Sequence, residues 1–187
     1  MRIFTAACII LSVIATAAWA QDDALGLYFN ETEFTQETAN RTTAPGFVMP
    51  GYVVLTNATG PMITGYEVGI SCTAADFSIP LTSLGFGDSN SGTNTNQIVS
   101  FLTPKPVAAG GTVLSMIFFV TDSTELEEIS FGPSNPSSLP GVPVVEYVPG
   151  GAVACSQPFG TPTVAWLNAE VVAVQTEAWG GVKALYR

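Results

Sequence analysis

Val113-Leu114-Ser115-Met116-Ile117-Phe118-Phe119-Val120 is a stretch in which Ser115 is the only polar residue. Successive side chains of an extended strand point to opposite faces of a sheet. On that pattern Leu114, Met116, Phe118 and Val120 share one face, and Val113, Ile117 and Phe119 share the other. A strand that is apolar on both faces is predicted to lie in the centre of a sheet.

A second segment, Gly65-Tyr66-Glu67-Val68-Gly69-Ile70-Ser71-Cys72, alternates between large apolar residues and small or polar ones. This period of two is typical of a strand with one buried face. Further β-rich runs, separated by turns rich in Pro, Gly, Asn and Ser, span residues 25–29, 52–56, 97–102, 128–131, 142–147, 152–155 and 163–174. We therefore predict an all-β fold, a single antiparallel β-sandwich of about nine strands with a jelly-roll-like arrangement.

The composition excludes several classes of function. The 187 residues include five Lys+Arg, fifteen Asp+Glu and no histidine, which gives a net charge of −10. A chain this acidic has no electrostatic footprint for nucleic acid. With 47% apolar and 11% charged residues, it is also too apolar for a disordered acidic tail. Without histidine it lacks the usual general base and the commonest metal ligand.

The first twenty residues have the features of a secretory signal peptide. Arg2 precedes an apolar run that ends in Ala18-Trp19-Ala20, a small-x-small cleavage pattern. We predict cleavage after Ala20 and a secreted protein, located outside the cell, at the cell surface or in the periplasm, with no membrane span after cleavage. An uncut membrane anchor is the alternative. The predicted division is residues 1–20 as signal peptide, 21–175 as the β-sandwich domain and 176–187 as a C-terminal tail.

Cleavage would leave two cysteines, Cys72 and Cys155. An even pair in an oxidising compartment favours a disulfide between them. Two separate buried thiols are the alternative, because free cysteine is often buried.

The tail is predicted to be a short helix or an extended segment. Thr176 is a suitable N-cap, and Trp179, Val182 and Tyr186 share one helical face. Lys183 and Arg187 make it the one positively charged patch of the mature chain. It either covers an edge or end of the sandwich or serves as a recognition segment.

No complete catalytic or metal-binding set is visible, and we predict no catalysis, no cofactor and no metal. Asp122, Glu125, Glu127 and Glu128 could supply the carboxylate pair of a glycosidase, although clustered acids after a strand usually form a solvated turn. Residues 88–96 resemble a calcium loop but lack its glutamate, and they favour a hairpin loop.

Aromatic residues on predicted strands offer an alternative binding chemistry. Tyr147 and Trp166 could stack on sugar rings if they are exposed, as carbohydrate-binding modules do. Half-burial in the core or its rim is the competing interpretation.

The order of strands resembles that of cohesins, whose sandwich architecture is shared by many carbohydrate-binding modules. Pro45-Gly46-Phe47-Val48 leading into residues 52–57 is similar to a cohesin Pro-Gly turn and second strand, residues 63–68 to the next strand, and residues 110–120 to the long central strand. The chain differs in having Cys72-Thr73-Ala74-Ala75-Asp76 where cohesins carry Tyr-Asp-Pro. It also resembles short exported bacterial proteins of unassigned function, some of which end like residues 179–187 here.

These observations favour a non-catalytic exported β-sandwich that makes protein–protein or structural contacts. A carbohydrate-binding module is the alternative, and a glycosidase-type hydrolase using acidic residues is a third interpretation. The predicted partner is another surface protein or a polysaccharide. The candidate binding residues are Tyr147, Trp166, Trp179, Lys183, Tyr186 and Arg187.

Overall fold

A computed structural model describes residues 22–169 and confirms an all-β sandwich. Its twelve strands are β1 Ala24–Tyr28, β2 Asn40–Arg41, β3 Met49–Thr56, β4 Met62–Cys72, β5 Ser78–Ser83, β6 Ser89–Asn90, β7 Asn96–Pro106, β8 Thr112–Val120, β9 Glu127–Gly132, β10 Val144–Tyr147, β11 Gly151–Ala154 and β12 Thr163–Leu167. Residues 22–169 contain no helix, and so none that could cross a membrane. The predicted tail lies outside these residues.

The strands form two sheets. Sheet A has the order β1-β3-β8-β5, and β8 is one of its two central strands, as the sequence predicts. Sheet B connects its strands in the order β11-β10-β4-β9-β12-β2. Along one edge of β4, residues 63–67 pair with β10 and residues 69–72 pair with β9; along the opposite edge, residues 62–69 pair with β7, which in turn pairs with β6. All pairs of strands are antiparallel except β12 with β2.

The inner faces of the two sheets enclose one main apolar core. The alternation predicted for β4 is confirmed, because Tyr66, Val68 and Ile70 point inward and are buried. Opposite them, Ile117 and Phe119 of β8 are fully buried. Burying a large apolar side chain contributes about 1.5–3 kcal/mol, so these alternating positions hold the sheets together.

A buried polar cluster joins the two sheets inside this core. The Tyr66 hydroxyl on β4 donates to Gln97 Oε1 on β7 at 2.5 Å and lies 2.6 Å from Ser115 Oγ on β8. The amide of Gln97 donates to Thr82 Oγ1 on β5 at 3.1 Å. Because each polar group has a partner, the cluster adds a directional contact between sheets that otherwise meet through apolar packing.

A β-bulge in β8 changes part of the predicted face assignment. Val53 pairs with Ser115 but Val54 pairs with Val113, so Leu114 is an extra residue in the ladder. Leu114 therefore joins the inner core, whereas Val113 packs on the outer side with Val54. The predicted faces are wrong at these two residues and correct from Met116 to Val120.

The predicted disulfide between Cys72 and Cys155 is not formed, and both residues are free thiols. The Cys155 N–H donates to the carbonyl of Pro143, next to the start of β10, while Val144 pairs with Glu67 of β4. Cys155 therefore lies about two strands away from Cys72 and several residues along the sheet. With strands about 4.8 Å apart and a rise of about 3.3 Å per residue, the separation is far beyond the about 7 Å that bridging allows.

The two thiols should be unreactive in the native protein. Burial raises the pKa of Cys155 to about 12, helped by the nearby Asp23 carboxylate, and burial raises the pKa of Cys72 to about 11. Since the thiolate is the reactive form, alkylation with iodoacetamide should be at least about tenfold slower than in denaturant. Fast labelling of either native thiol, or a mass lower by two hydrogens, would contradict this structure.

Removing the hydroxyl of Tyr66 should destabilise the fold. Tyr66→Phe leaves the buried Gln97 Oε1 without its donor and the Ser115 hydroxyl without its acceptor, at a cost of about 1–3 kcal/mol in the free energy of unfolding. Tyr52→Phe, at a half-buried position on the outer side of sheet A, is the control and should cost less than about 0.5 kcal/mol. Equal losses in urea denaturation would show that the buried cluster is not important.

Candidate binding surfaces

The outer side of sheet A carries a row of apolar residues that range from half-buried to exposed. Met116, Phe118 and Val120 alternate with the buried Ile117 and Phe119 and therefore point away from the core. Neighbouring strands continue the same surface. We define the open face as Val48, Pro50, Leu81, Met116, Phe118 and Val120.

Register makes the open face continuous across three strands. Phe118 pairs with Pro50 of β3 on one side and with Leu81 of β5 on the other. Val48 is 58% exposed and Leu81 is 54% exposed, and Pro50 is also exposed. The six residues include no charged or hydrogen-bonding side chain. A contiguous apolar surface of this kind is typical of a protein contact site.

The other half of the same sheet face is covered by the chain itself. The segment after β1 places Phe34 against Tyr28, with ring centroids 5.4 Å apart, and against Gly111. Gly111 has a φ of +152°, and an added Cβ would lie 2.4 Å from the Phe34 ring, so glycine is required there. This local packing ends before Pro50 and leaves the open face uncovered by residues 22–169.

The outer side of sheet B is more polar and is partly covered by a loop. Glu67 points outward between Gly65 and Gly69 and is nevertheless 7% exposed. Its carboxylate accepts hydrogen bonds from the Ser138 hydroxyl at 2.5 Å, the Ser138 N–H at 2.7 Å and the Ser134 hydroxyl at 3.3 Å. Burial alone would raise the pKa of Glu67, but these hydrogen bonds outweigh it and hold the pKa below its ordinary value. Glu67 therefore holds the loop that contains Ser134 and Ser138 against sheet B, and its carboxylate is not free to act as an acid.

Replacing Glu67 should reduce the acid sensitivity of the fold. A carboxyl group with a lowered pKa in the folded state contributes stability above its unfolded pKa, and this stability is lost as the pH falls through the folded pKa. Glu67→Gln should be less stable than wild type near neutral pH and should lose less stability on acidification to about pH 3. Glu31→Gln, at an exposed position, should keep the wild-type dependence of the melting temperature. A parallel pH profile for Glu67→Gln and wild type would refute the role of the carboxylate.

The structure does not bring the candidate glycosidase acids together. Glu127 points inward, is 2% exposed and accepts a hydrogen bond from Thr121 Oγ1 at 2.7 Å, while Glu128 points outward on the same strand. Asp122 and Glu125 lie in the exposed loop between β8 and β9. Within residues 22–169 these acids form no facing pair across a cleft, and their arrangement fits a solvated turn with one buried anchor.

The segment that resembles a calcium loop is a hairpin held by its own side chains. Asp88 accepts N–H groups of Gly85 and Leu102 at 3.1 and 3.0 Å, and its carboxylate lies 3.8 Å from Lys105. Asn90 Oδ1 accepts the Ile98 N–H at 2.9 Å, across the β6–β7 pair. The oxygens that would bind a cation are thus used by the loop, and no cluster of three metal-ligating residues occurs in the part of the chain described.

Of the sequence-based binding residues, the structure describes Tyr147 and Trp166. Tyr147 is 5% exposed and its hydroxyl donates to Asp23, so it belongs to the core. Trp166 is half-buried, with its ring centroid 5.4 Å from that of Phe159. The Tyr147 ring therefore presents no free plane for stacking on sugar, whereas the Trp166 ring stays partly exposed. Trp179, Lys183, Tyr186 and Arg187 lie outside the described residues.

The open face was not predicted from the sequence, although the sequence contains a signal for it. Residues 113–120 are apolar on both faces, which predicts a central strand but does not show what packs on each face. The contributions of Val48, Pro50 and Leu81 depend on register between distant segments, which no local pattern in the chain reveals.

Comparison with known proteins identifies the fold. No protein-family profile and no curated protein matches the chain. Among solved structures, the sixth cohesin of scaffoldin B from Acetivibrio cellulolyticus, in complex with a dockerin, matches with a TM-score of 0.50 and 12% identity over 80% of this chain and 99% of that chain.

Two further solved structures give weaker matches. A type I cohesin from Clostridium thermocellum, in complex with a dockerin, has a TM-score of 0.45 and 11% identity over 78% of this chain and 94% of its own. A type II cohesin domain from the cellulosome of Acetivibrio cellulolyticus has a TM-score of 0.46 and 12% identity over 79% of this chain and 95% of that chain. The match at a TM-score of 0.50 shows that the chain has a cohesin-like β-sandwich fold, as its resemblance to cohesins predicts.

Proposed function

We propose that this chain is an exported, non-catalytic module that binds another protein through the open face of sheet A. The observation that carries the proposal is a continuous apolar surface across β3, β8 and β5, half-buried on β8 and exposed at Val48, Pro50 and Leu81. Its strands are paired with one another within sheet A, so the surface is preorganised and loses little conformational freedom on binding.

The competing surface on sheet B is less suited to a protein contact. Leu102 is 67% exposed there, but Ser100 and its partner Ser89 lie on the same side of the sheet beside it. Glu67 and the loop that it fastens cover a further part of that face. The apolar area that favours association is thus broken up on sheet B and continuous on sheet A.

The fold and the arrangement of acids support a binding role over catalysis. Two of the matched cohesins were solved in complex with dockerins, so this type of sandwich can serve as a protein-binding module. A shared fold alone does not assign a function, and the open face supplies the feature specific to this chain. Export follows from the predicted signal peptide and is part of the proposal.

Charge indicates the chemistry of the partner. The body is acidic, and Arg41 and Lys105 are the only basic residues between positions 22 and 169. Lys105 is engaged by Asp88 and by the carbonyl of Leu114 at 2.7 Å. A suitable partner surface therefore has an apolar centre and a neutral or basic rim, because like charges would repel.

Site-specific photo-cross-linking in the producing bacterium tests the proposal. The photoreactive residue p-benzoylphenylalanine placed at Leu81 should cross-link one exported or surface protein, which mass spectrometry identifies. The same residue at Leu102 on sheet B, which is 67% exposed compared with 54% for Leu81, is the matched control and should give little product. Equal yields at the two positions, or no product at Leu81, would refute binding through the open face. The same spectra report the N-terminus, which is expected at Gln21.

A further inference from the structure

The open face requires a cover whenever no partner is bound. Phe118, Val120 and their neighbours form an apolar patch in contact with water, in a protein that buries the other side of the same strand completely. Folded proteins seldom leave such a patch unoccupied, since exposed apolar surface favours association.

The chain leaves the described body close to one end of this face. The Asn168 N–H donates to the carbonyl of Arg41 at 2.9 Å, and its side-chain amide donates to the carbonyls of Glu125 at 3.2 Å and Ser123 at 3.4 Å. Ser123 and Glu125 belong to the loop that directly follows β8. The chain therefore continues from Ala169 beside the end of β8 at which Val120 begins the open face.

The remaining residues have the length and the composition to cover the face. The eighteen residues 170–187 span about 60 Å when extended and about 27 Å as a helix. The distance from Val120 to Met116 along β8 is only about 13 Å. Large apolar residues recur along this segment at Val171, Val172, Val174, Trp179, Val182, Leu185 and Tyr186.

Charge does not oppose contact between this segment and the acidic body, because the side chains of the segment carry no net charge. Lys183 and Arg187 balance Glu170 and Glu177, and the two acids precede Trp179 whereas the two basic residues follow it. The segment that covers the other half of the sheet face exposes Glu31, Glu33 and Glu37. Opposite charges around an apolar contact orient it and speed its formation.

We propose that residues 170–187 fold back onto the open face of their own molecule, with Trp179 as the main apolar contact. This inference rests on the proposed function, because it makes the segment an internal competitor that a partner protein must displace. The effective concentration of a tethered segment is high, in the millimolar range for short linkers. A modest intrinsic affinity is therefore enough to mask the face in the free protein.

Tryptophan fluorescence of the chain from Gln21 to Arg187 tests this inference. Trp166→Phe leaves Trp179 as the single tryptophan, because Trp19 belongs to the predicted signal peptide. If the segment contacts the open face, the emission of Trp179 should be blue-shifted. Acrylamide should quench it several-fold less than in a synthetic peptide of residues 170–187. If Trp166→Phe reduces folding, labelling the unaltered chain with 5-fluorotryptophan provides the same readout by ¹⁹F NMR.

Substitutions on the two sheet faces locate the contact. Val48→Lys combined with Leu81→Lys, at positions more than half exposed, should bring quenching of Trp179 close to the peptide value without loss of β-sheet circular dichroism. Leu102→Lys on sheet B is the matched control and should leave quenching unchanged.

Three results would overturn the inference. They are peptide-like quenching of Trp179 in the starting variant, an equal effect of Leu102→Lys, or protection that depends on protein concentration and accompanies dimer formation. The third result would assign the face to a second copy. Exposed Trp179 together with a partner cross-linked at Leu81 would refute only the docking of the segment. Protected Trp179 with no partner would refute only the proposed function.

Discussion

The two apolar sides of β8 impose the constraint on which this structure depends. One side carries Ile117 and Phe119, which sheet B covers completely, so the need to bury them brings the two sheets together. The other side carries Phe118 and Val120, and residues 22–169 cover only the neighbouring half of that face. The same strand thus accounts for the sandwich and for its candidate binding surface.

Local patterns in the sequence were sufficient to predict the class of fold and most of its strands. All nine predicted strands overlap observed ones, because alternation and turn residues are local signals. The three missed strands are β2 and β6, which have two residues each, and β5, an edge strand that contains Pro80. The bulge at Leu114 was also missed, since a bulge depends on the partner strand.

The candidate sites were harder to predict because they depend on contacts between distant segments. Tyr147 looked suitable for stacking on sugar, but its hydroxyl bonds to Asp23, 124 positions earlier. Pairing Cys72 with Cys155 was reasonable from their number, yet strand register keeps them apart. The open face combines residues of β3, β5 and β8, and only the register of sheet A shows that they adjoin.

Nuclear Overhauser contacts from two adjacent rings in the chain from Gln21 to Arg187 test this account most directly. Phe119 should show contacts to the rings of Phe29 and Phe77, whose centroids lie 5.6 and 5.8 Å away. Phe118 should instead show contacts to Leu81 and to protons of residues 170–187. If Phe118 also contacted the inner core, the assignment of faces would be wrong. If it contacted no residue beyond 169, the internal cover of the open face would be refuted.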